Sequence, residues 1–266
     1  MKKYQLVILI LSLIVIFEGF LLFKAYTRKQ VKIIIRPKIT TTPAFKGKIA
    51  IVLDDWGYNL NNLHILKEIK APLTLSVLPN LPYTKSVCQE GYTLGFEIIL
   101  HLPSEPKEKV RLEQNTILTT MKDKTITDIV DHDLENIDYV RGLSNHMGSK
   151  VTEDERVMNL ILKELKQRKL YFLDSWVTSK SVGASLAKKM NLPFLKRDIF
   201  LDNNEDAVYI RSQINKLKNK ARINGQAVGI GHDRKITLET LREIIPELEN
   251  EGYKIVLASS LTKETK

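Results

Sequence analysis

The sequence predicts an α/β domain of repeated strand-then-helix units, preceded by one helix long enough to span a membrane. Three observations carry this. From residue 48 onward, short apolar runs alternate with amphipathic stretches. A block at 5–23, QLVILILSLIVIFEGFLLF, is almost wholly apolar. Histidines and aspartates recur where the apolar runs end, rather than being scattered.

The N-terminal block comes first. A membrane-spanning helix needs roughly 20 apolar residues, and this one has that length. Lys2 and Lys3 precede it, and Lys24, Arg28 and Lys29 follow. Glu18 lies near its far end, within reach of the interface. No A-x-A-like cleavage site follows. Residues 1–29 therefore read as an uncleaved anchor, with a cleaved signal segment as the alternative. More positive charges follow the span than precede it, which by the positive-inside rule argues for a cytoplasmic domain, although long domains translocate largely regardless of charge. Orientation stays open on these residues alone. Residues 30–47, with Pro37, Pro43 and a threonine run, read as a linker, and 48–266 as the folded domain.

The net charge of +10 is concentrated at this end: residues 1–48 hold ten of the 41 basic and one of the 31 acidic residues. The domain itself is almost neutral and exerts no general pull on a polyanion, so no nucleic-acid partner is expected. The run Lys216, Lys218, Lys220, Arg222 reads as a solvated helix face. Cys88 is the single cysteine, so no internal disulfide forms, and it reads as a packing residue.

Within the domain, strands are expected at 48–54, 73–78, 96–102, 139–145, 170–174, 193–200, 226–231 and 253–259, each rich in Val, Ile, Leu or aromatics. Helices are expected near 59–70, 82–93, 124–137, 153–168, 179–190, 205–223 and 237–251, with start signals at Thr152/Glu155 and Thr237. Repeated β-then-α units mean parallel strands joined by right-handed crossovers. Eight strands and seven helices fit a barrel, imperfectly closed; a doubly wound open sheet is the competing architecture. No G-x-G-x-x-G or Walker loop is present.

In either architecture chemistry gathers at the carboxyl ends of the strands. Asp54 and Asp55 end the first strand, and His101 ends the third, followed by Glu105. Asn145 and His146 close the fourth, Asp174 and Ser175 the fifth. Arg197, Asp198 and Asp202 surround the sixth, and His232 and Asp233 end the seventh. One such residue is explained by a turn or cap, as Asp174-Ser175 and Asp202-Asn203 illustrate. The set is not: caps do not call for histidine, and two consecutive buried carboxylates repel unless a cation or proton compensates. His64 and His132 fall within helices and read as surface residues. Histidine and aspartate without cysteine suit Zn²⁺, Fe²⁺, Mn²⁺ or Co²⁺, zinc first. Two imidazoles and one carboxylate leave coordination positions open for water, a second aspartate can take that water's proton, and a histidine across the site can protonate a leaving group.

Six motifs occur in order: IAIVLDDWGYN (49–59), HLPSEP (101–106), NHMGS (145–149), FLDS (172–175), RDIFLDN (197–203) and GIGH (229–232). Together they resemble the divergent polysaccharide deacetylase family, a distant branch of the chitooligosaccharide and peptidoglycan deacetylases, over roughly 48–260. The resemblance implies a deformed (β/α)7–8 barrel of the polysaccharide deacetylase type and an extracytoplasmic domain on a single-pass inner or plasma membrane anchor. It also implies metal-dependent N- or O-deacetylation of an acetylated carbohydrate or peptidoglycan. By the same resemblance Asp54 is the general base, Asp55 and His101 are metal ligands, and His232 is the general acid. Asp174 would orient a histidine or the substrate, and Arg197 would pair with a carboxylate. The related enzymes carry a second histidine four residues after the first; here that position is Glu105, and His146 is the candidate replacement. Glu105 is left as an extra ligand, an outer-shell partner or neither, and Asn145, Asp198 and Asp202 as outer-shell or substrate-binding candidates. Two alternatives stand beside deacetylation: a barrel that binds glycan or a partner without efficient catalysis, and a hydrolase of another bond. A glycosidase would need carboxylates roughly 5–9 Å apart, for which Asp55 with Asp174 or Glu105 is the candidate pair.

Overall fold

The computed structural model describes residues 2–30 and 44–262, in two units, Met1–Thr42 and Pro43–Lys266. The first contains α1 (Lys2–Gln30). Its stretch Lys3–Arg28 is long and apolar enough for a membrane span or a signal sequence, and its apolar side chains are exposed. Residues 31–43 of the expected linker lie outside the described residues.

The second unit runs β1 (Gly47–Trp56), α2 (Leu63–Leu66), β2 (Thr74–Val77), α3 (Thr84–Thr93), β3 (Glu97–Ser104), α4 (Asp123–Asn136), β4 (Val140–Met147), α5 (Glu155–Gln167), β5 (Tyr171–Asp174), α6 (Gly183–Met190), β6 (Phe194–Lys196), β7 (Ile199–Phe200), α7 (Ala207–Asn224), β8 (Gln226–His232), α8 (Lys235–Asn250) and β9 (Tyr253–Val256). The strands are all parallel, in the order β6-β5-β4-β3-β2-β1-β8-β7. β9 pairs with the first half of β1, beyond which β2 takes over. The sheet is curled, and among the described residues no ladder joins β6 to β7. The doubly wound alternative gives way to the deformed barrel.

The expected strand 193–200 divides in two because the chain changes partner. Arg197 N donates to Asp174 O on β5, while Asp198 N donates to Val228 O on β8 and the Asp198 carboxylate accepts from Val228 N. The expected helix 59–70 contracts to one turn, since asparagines 59, 61 and 62 favour turns, and Asn59 Oδ1 accepts from Asn61 N. Two start signals are corrected as well. Asp154, not Thr152, caps α5 by accepting from Val157 N, and Thr152 bonds Gly148 O instead. Thr237 lies inside α8 and donates to Asp202. Cys88 is buried in α3; His64 and His132 are exposed.

Side chains alternate across a strand, so each strand serves two cores. Ile49, Ile51 and Leu53 of β1 join the large cluster beneath the helices, while Ala50 and Val52 join a smaller inner cluster with Ile99, Tyr171, Leu173, Val228 and Ile230. At the amino-terminal end of the barrel this inner space is closed by a buried Glu97. Its Oε1 accepts from Thr74 Oγ1 (3.0 Å), Tyr171 OH (2.9 Å) and Ser259 N (3.1 Å). Continuing the inward parity toward the carboxyl ends gives Asp54 on β1, Ser76 on β2, His101 on β3, Ser144 and His146 on β4, and His232 on β8.

Candidate metal centre and acid–base pair

Asp54 belongs to the inward parity of β1; Asp55, by alternation, should face the helices. It does not, because β1 breaks its register with β2 between Leu53 and Trp56 and Asp55 adopts φ +67°. That left-handed conformation is uncommon outside glycine and tolerated best by Asn and Asp, at a cost of about 1–3 kcal/mol. The strained turn delivers two consecutive carboxylates to one site.

Asp55 Oδ1 lies 3.3 Å from His101 Nε2 and 3.0 Å from His146 Nδ1. The Asp55, His101 and His146 ligand atoms all fall within 4.8 Å of one another. Ligand atoms on a tetrahedral ion, at about 2.0–2.2 Å from it, stand roughly 3.3–3.6 Å apart, so the spacing fits a small divalent cation. Hydrogen bonding points the same way. Of the five buried side-chain polar atoms without a hydrogen-bond partner among the described residues, two belong to this carboxylate pair: Asp54 Oδ1 and Asp55 Oδ1. Unpaired buried carboxylate oxygens are costly, and a cation would relieve them. Burial alone would raise the Asp55 carboxyl; the two imidazoles outweigh it and hold Asp55 far below the usual carboxylate range.

Asp54 is 2% exposed, and its Oδ2 lies 3.6 Å from His101 Nε2. Burial pushes its carboxyl up, helped by the neighbouring Asp55 charge and opposed by His101, His232 and the Ser76 hydroxyl. Beside it on β8, paired in register with Asp54, is His232. His232 Nδ1 is 2.8 Å from Asp202 Oδ1, while Asp202 Oδ2 accepts from His232 N (2.8 Å) and Thr237 Oγ1 (2.7 Å). Asp202 is fully buried. Against the effect of burial, this carboxylate raises the His232 imidazole, and His232 in turn lowers Asp202. A histidine whose protonated form is favoured by a buried carboxylate is suited to proton transfer.

The remaining sequence candidates have other partners. Glu105 accepts from Thr119 N and Oγ1 (2.7 Å each) and Lys150 Nζ (2.7 Å), so its carboxylate ties down the loop after β3 and is not part of the triplet. Asp174 accepts from Trp176 N (2.8 Å) and Ser181 Oγ (2.5 Å) and organises its own loop; it orients no histidine. Arg197 donates to Ser175 O and Trp176 O (2.7 Å each) and stacks on Phe200, with no carboxylate in ion-pair contact among the described residues. Asp198 fixes the β6–β7 switch. Asn145 clamps β4 to the end of β5, accepting from Ser175 N and donating to Met147 O.

Two residues, Ser144 and Ser76, escaped the sequence reading. Ser144 Oγ lies 2.7 Å from His101 Nδ1 and 2.6 Å from Ser76 Oγ, and both serines are buried. Asp233 accepts from Asn62 Nδ2 (2.9 Å), and burial together with the Asp55 charge raises its carboxyl to about 6. The available signal for the serines was inward parity in otherwise apolar strands.

A curled parallel sheet with histidines and aspartates gathered at its carboxyl rim is the deacetylase-type fold. The family model for divergent polysaccharide deacetylases matches residues 51–262, and the chain belongs to that family. It is 33% identical over 224 residues to the uncharacterized protein YibQ of Escherichia coli (strain K12), covering 84% of this chain and 70% of YibQ. An uncharacterized Haemophilus influenzae protein is 31% identical over 197 residues, 74% of this chain and 70% of that protein. Among solved structures, an uncharacterized protein from Agrobacterium tumefaciens C58 superposes with a TM-score of 0.77 at 23% identity, covering 82% of this chain and 90% of that one. The Bc1960 peptidoglycan N-acetylglucosamine deacetylase gives 0.50 at 12% identity, covering 85% and 95%. These likenesses are of fold.

Proposed function

We propose that this protein is a metal-dependent deacetylase of the cell envelope, removing acetyl groups from an N- or O-acetylated glycan such as peptidoglycan. The observation that carries the reading is the Asp55, His101 and His146 triplet, with Asp54 on one flank and the Asp202-held His232 beside it. Family membership and a fold shared with a peptidoglycan N-acetylglucosamine deacetylase support it.

In this reading Asp55, His101 and His146 hold a divalent ion, zinc or alternatively Fe²⁺, Mn²⁺ or Co²⁺. When bound, such an ion polarises the acetyl carbonyl and acidifies a water toward a pKa of about 7. Asp54, pushed upward by burial, takes the water's proton as oxygen adds to the carbonyl carbon. His232 gives its proton to the departing amine or alkoxide as the bond to the acyl carbon breaks. Asp202 keeps His232 charged and oriented until then. The products are acetate and the free amine or hydroxyl. We further propose that α1 is a single-pass anchor in the inner or plasma membrane, with the domain on the extracytoplasmic side.

The test is acetate release by the purified full chain, supplied with each metal, from acetylated chitooligosaccharides and from peptidoglycan. Release that disappears in Asp54→Asn supports the proposal. Glycan binding without acetate under every metal would make the barrel a binding protein, and cleaved chains without acetate would make it a hydrolase of another bond.

A further inference from the structure

The His232 imidazole meets one residue at its edge and another on its face. At the edge, Nδ1 lies 2.8 Å from Asp202 Oδ1. On the face is Phe200: the two ring centroids are 5.9 Å apart and the ring planes differ by 20°. That is an offset stack, inside the range of roughly 4.5–7 Å over which aromatic pairs attract. Both partners come from one short segment. β7 pairs Phe200 with Ile230, and Leu201 N donates to Ile230 O (2.8 Å), so the segment runs beside β8 as β8 approaches His232.

Phe200 is itself held. Its half-buried ring packs against the inner cluster, and Arg197 Cζ stands over the ring, 3.6 Å from its centroid. Arg197 is tethered in turn, Nε donating to Ser175 O and Nη2 to Trp176 O, 2.7 Å each. A planar guanidinium spent on two backbone carbonyls makes a firm support for an aromatic face.

A histidine side chain turns about two bonds. One hydrogen bond at Nδ1 fixes that atom and leaves the ring free to swing about the contact, carrying Nε2 with it. A flat partner nearly parallel to the ring opposes the swing, since rotation breaks the stack. With Nδ1 taken up by Asp202, Nε2 is the nitrogen left to deliver a proton. Its placement matters, because an error of about 1 Å in a reacting group can cost about 100-fold in rate.

We propose that Phe200 is a positioning residue: backed by Arg197, its ring sets the plane of the His232 imidazole while Asp202 sets its edge, so that Nε2 meets the leaving group. The inference rests on the deacetylase reading, in which His232 is the acid, and its first measurement needs no activity. It gives Arg197 a part in the site through a ring rather than through a carboxylate.

The test uses the full chain in detergent, with Phe200→Leu, which stays apolar and loses the flat ring, and Phe200→Tyr, which keeps the ring. In the metal-free protein with ¹³C-labelled histidine, the His232 signal is assigned through His232→Gln. Its ring relaxation is expected to match that of a rigid group in the wild type and in Phe200→Tyr, and to show added ring motion in Phe200→Leu. Turnover is then compared on two acetyl donors. An acetylated chitooligosaccharide has an amine leaving group that needs a proton; 4-nitrophenyl acetate has a phenolate that leaves without one. Phe200→Leu is expected to lose about 10- to 100-fold in kcat on the first, at unchanged KM, and little on the second. Phe200→Tyr should keep the wild-type ratio between the two. A Phe200→Leu variant whose His232 ring stays rigid, or that loses both substrates equally, overturns the proposal. A wild type that releases acetate from neither donor sinks the deacetylase reading, and the relaxation measurement still decides whether Phe200 holds His232.

Discussion

Replacing Asp202 by Asn keeps the shape of a fully buried side chain and removes its charge. The carboxylate now accepts from three donors: His232 N, His232 Nδ1 and Thr237 Oγ1. An asparagine can keep its oxygen toward only one side, so either orientation sets an N–H against a His232 N–H. The interaction lost is a charge-assisted hydrogen bond, worth about 1.5–3 kcal/mol. At 1.36 kcal/mol per decade, that is about ten- to hundredfold in the equilibrium between charged and neutral His232. An NMR titration of the His232 ring therefore finds its midpoint at lower pH in Asp202→Asn, and the alkaline limb of acetate release moves the same way. The sign for stability follows from both partners. His232 is raised, so its contribution is complete below the unfolded histidine value of about 6.5 and fades as pH rises through the folded one. Asp202 is lowered, so its contribution is present above 3.8 and fades as pH falls through its depressed value. The Asp202→Asn penalty should accordingly be largest between about pH 4 and 6.5. An unmoved His232 midpoint in a folded variant refutes the pairing as the source of the histidine's charge.

Glu105→Gln should lower the thermal midpoint, by loosening the loop held through Thr119 and Lys150, while zinc stoichiometry stays at the wild-type value; loss of zinc would return Glu105 to the ligand set. At Gly142 an added Cβ would stand 2.6 Å from the Tyr171 ring, which Glu97 fixes, so Gly142→Ala should cost about 1–3 kcal/mol in denaturant unfolding, and a neutral result would contradict the packing of the inner barrel. Asp133 is buried with Oδ2 unpaired, and burial raises its carboxyl to about 6. A raised acid withdraws stability as pH climbs from 3.8 through about 6, so Asp133→Asn should stabilise the protein by about 1–3 kcal/mol at pH 8 and by little at pH 4, and equal effects at both would contradict this.

Most of the fold was legible because parallel strands buried on both faces leave continuous apolar runs, and the helices between them keep amphipathic spacing. The rim was legible for a related reason: a charged or imidazole side chain that ends such a run stands at the barrel's mouth. What the sequence hid is backbone geometry. Alternation assigns Asp54 and Asp55 to opposite faces, and only the left-handed turn at Asp55 reunites them. The division of 193–200 was invisible because its residues are equally apolar on either side of Arg197-Asp198, and only the change of partner separates them. The sequence left the partners of Asp174, Arg197 and Glu105 open because a strand-end polar residue can serve the site or its own loop, and here these three hydrogen-bond within loops. Ser76 and Ser144 went unread because a serine in a buried strand carries no signal until its partner across the barrel is known.

Whether Asp55, His101 and His146 share one ion is decided by calorimetric titration of the metal-free full chain with Zn²⁺. One equivalent should bind tightly to the wild type and to Glu105→Gln, and this binding should be lost in each of Asp55→Ala, His101→Ala and His146→Ala. No binding by the folded wild type, or binding that survives all three substitutions, would contradict it.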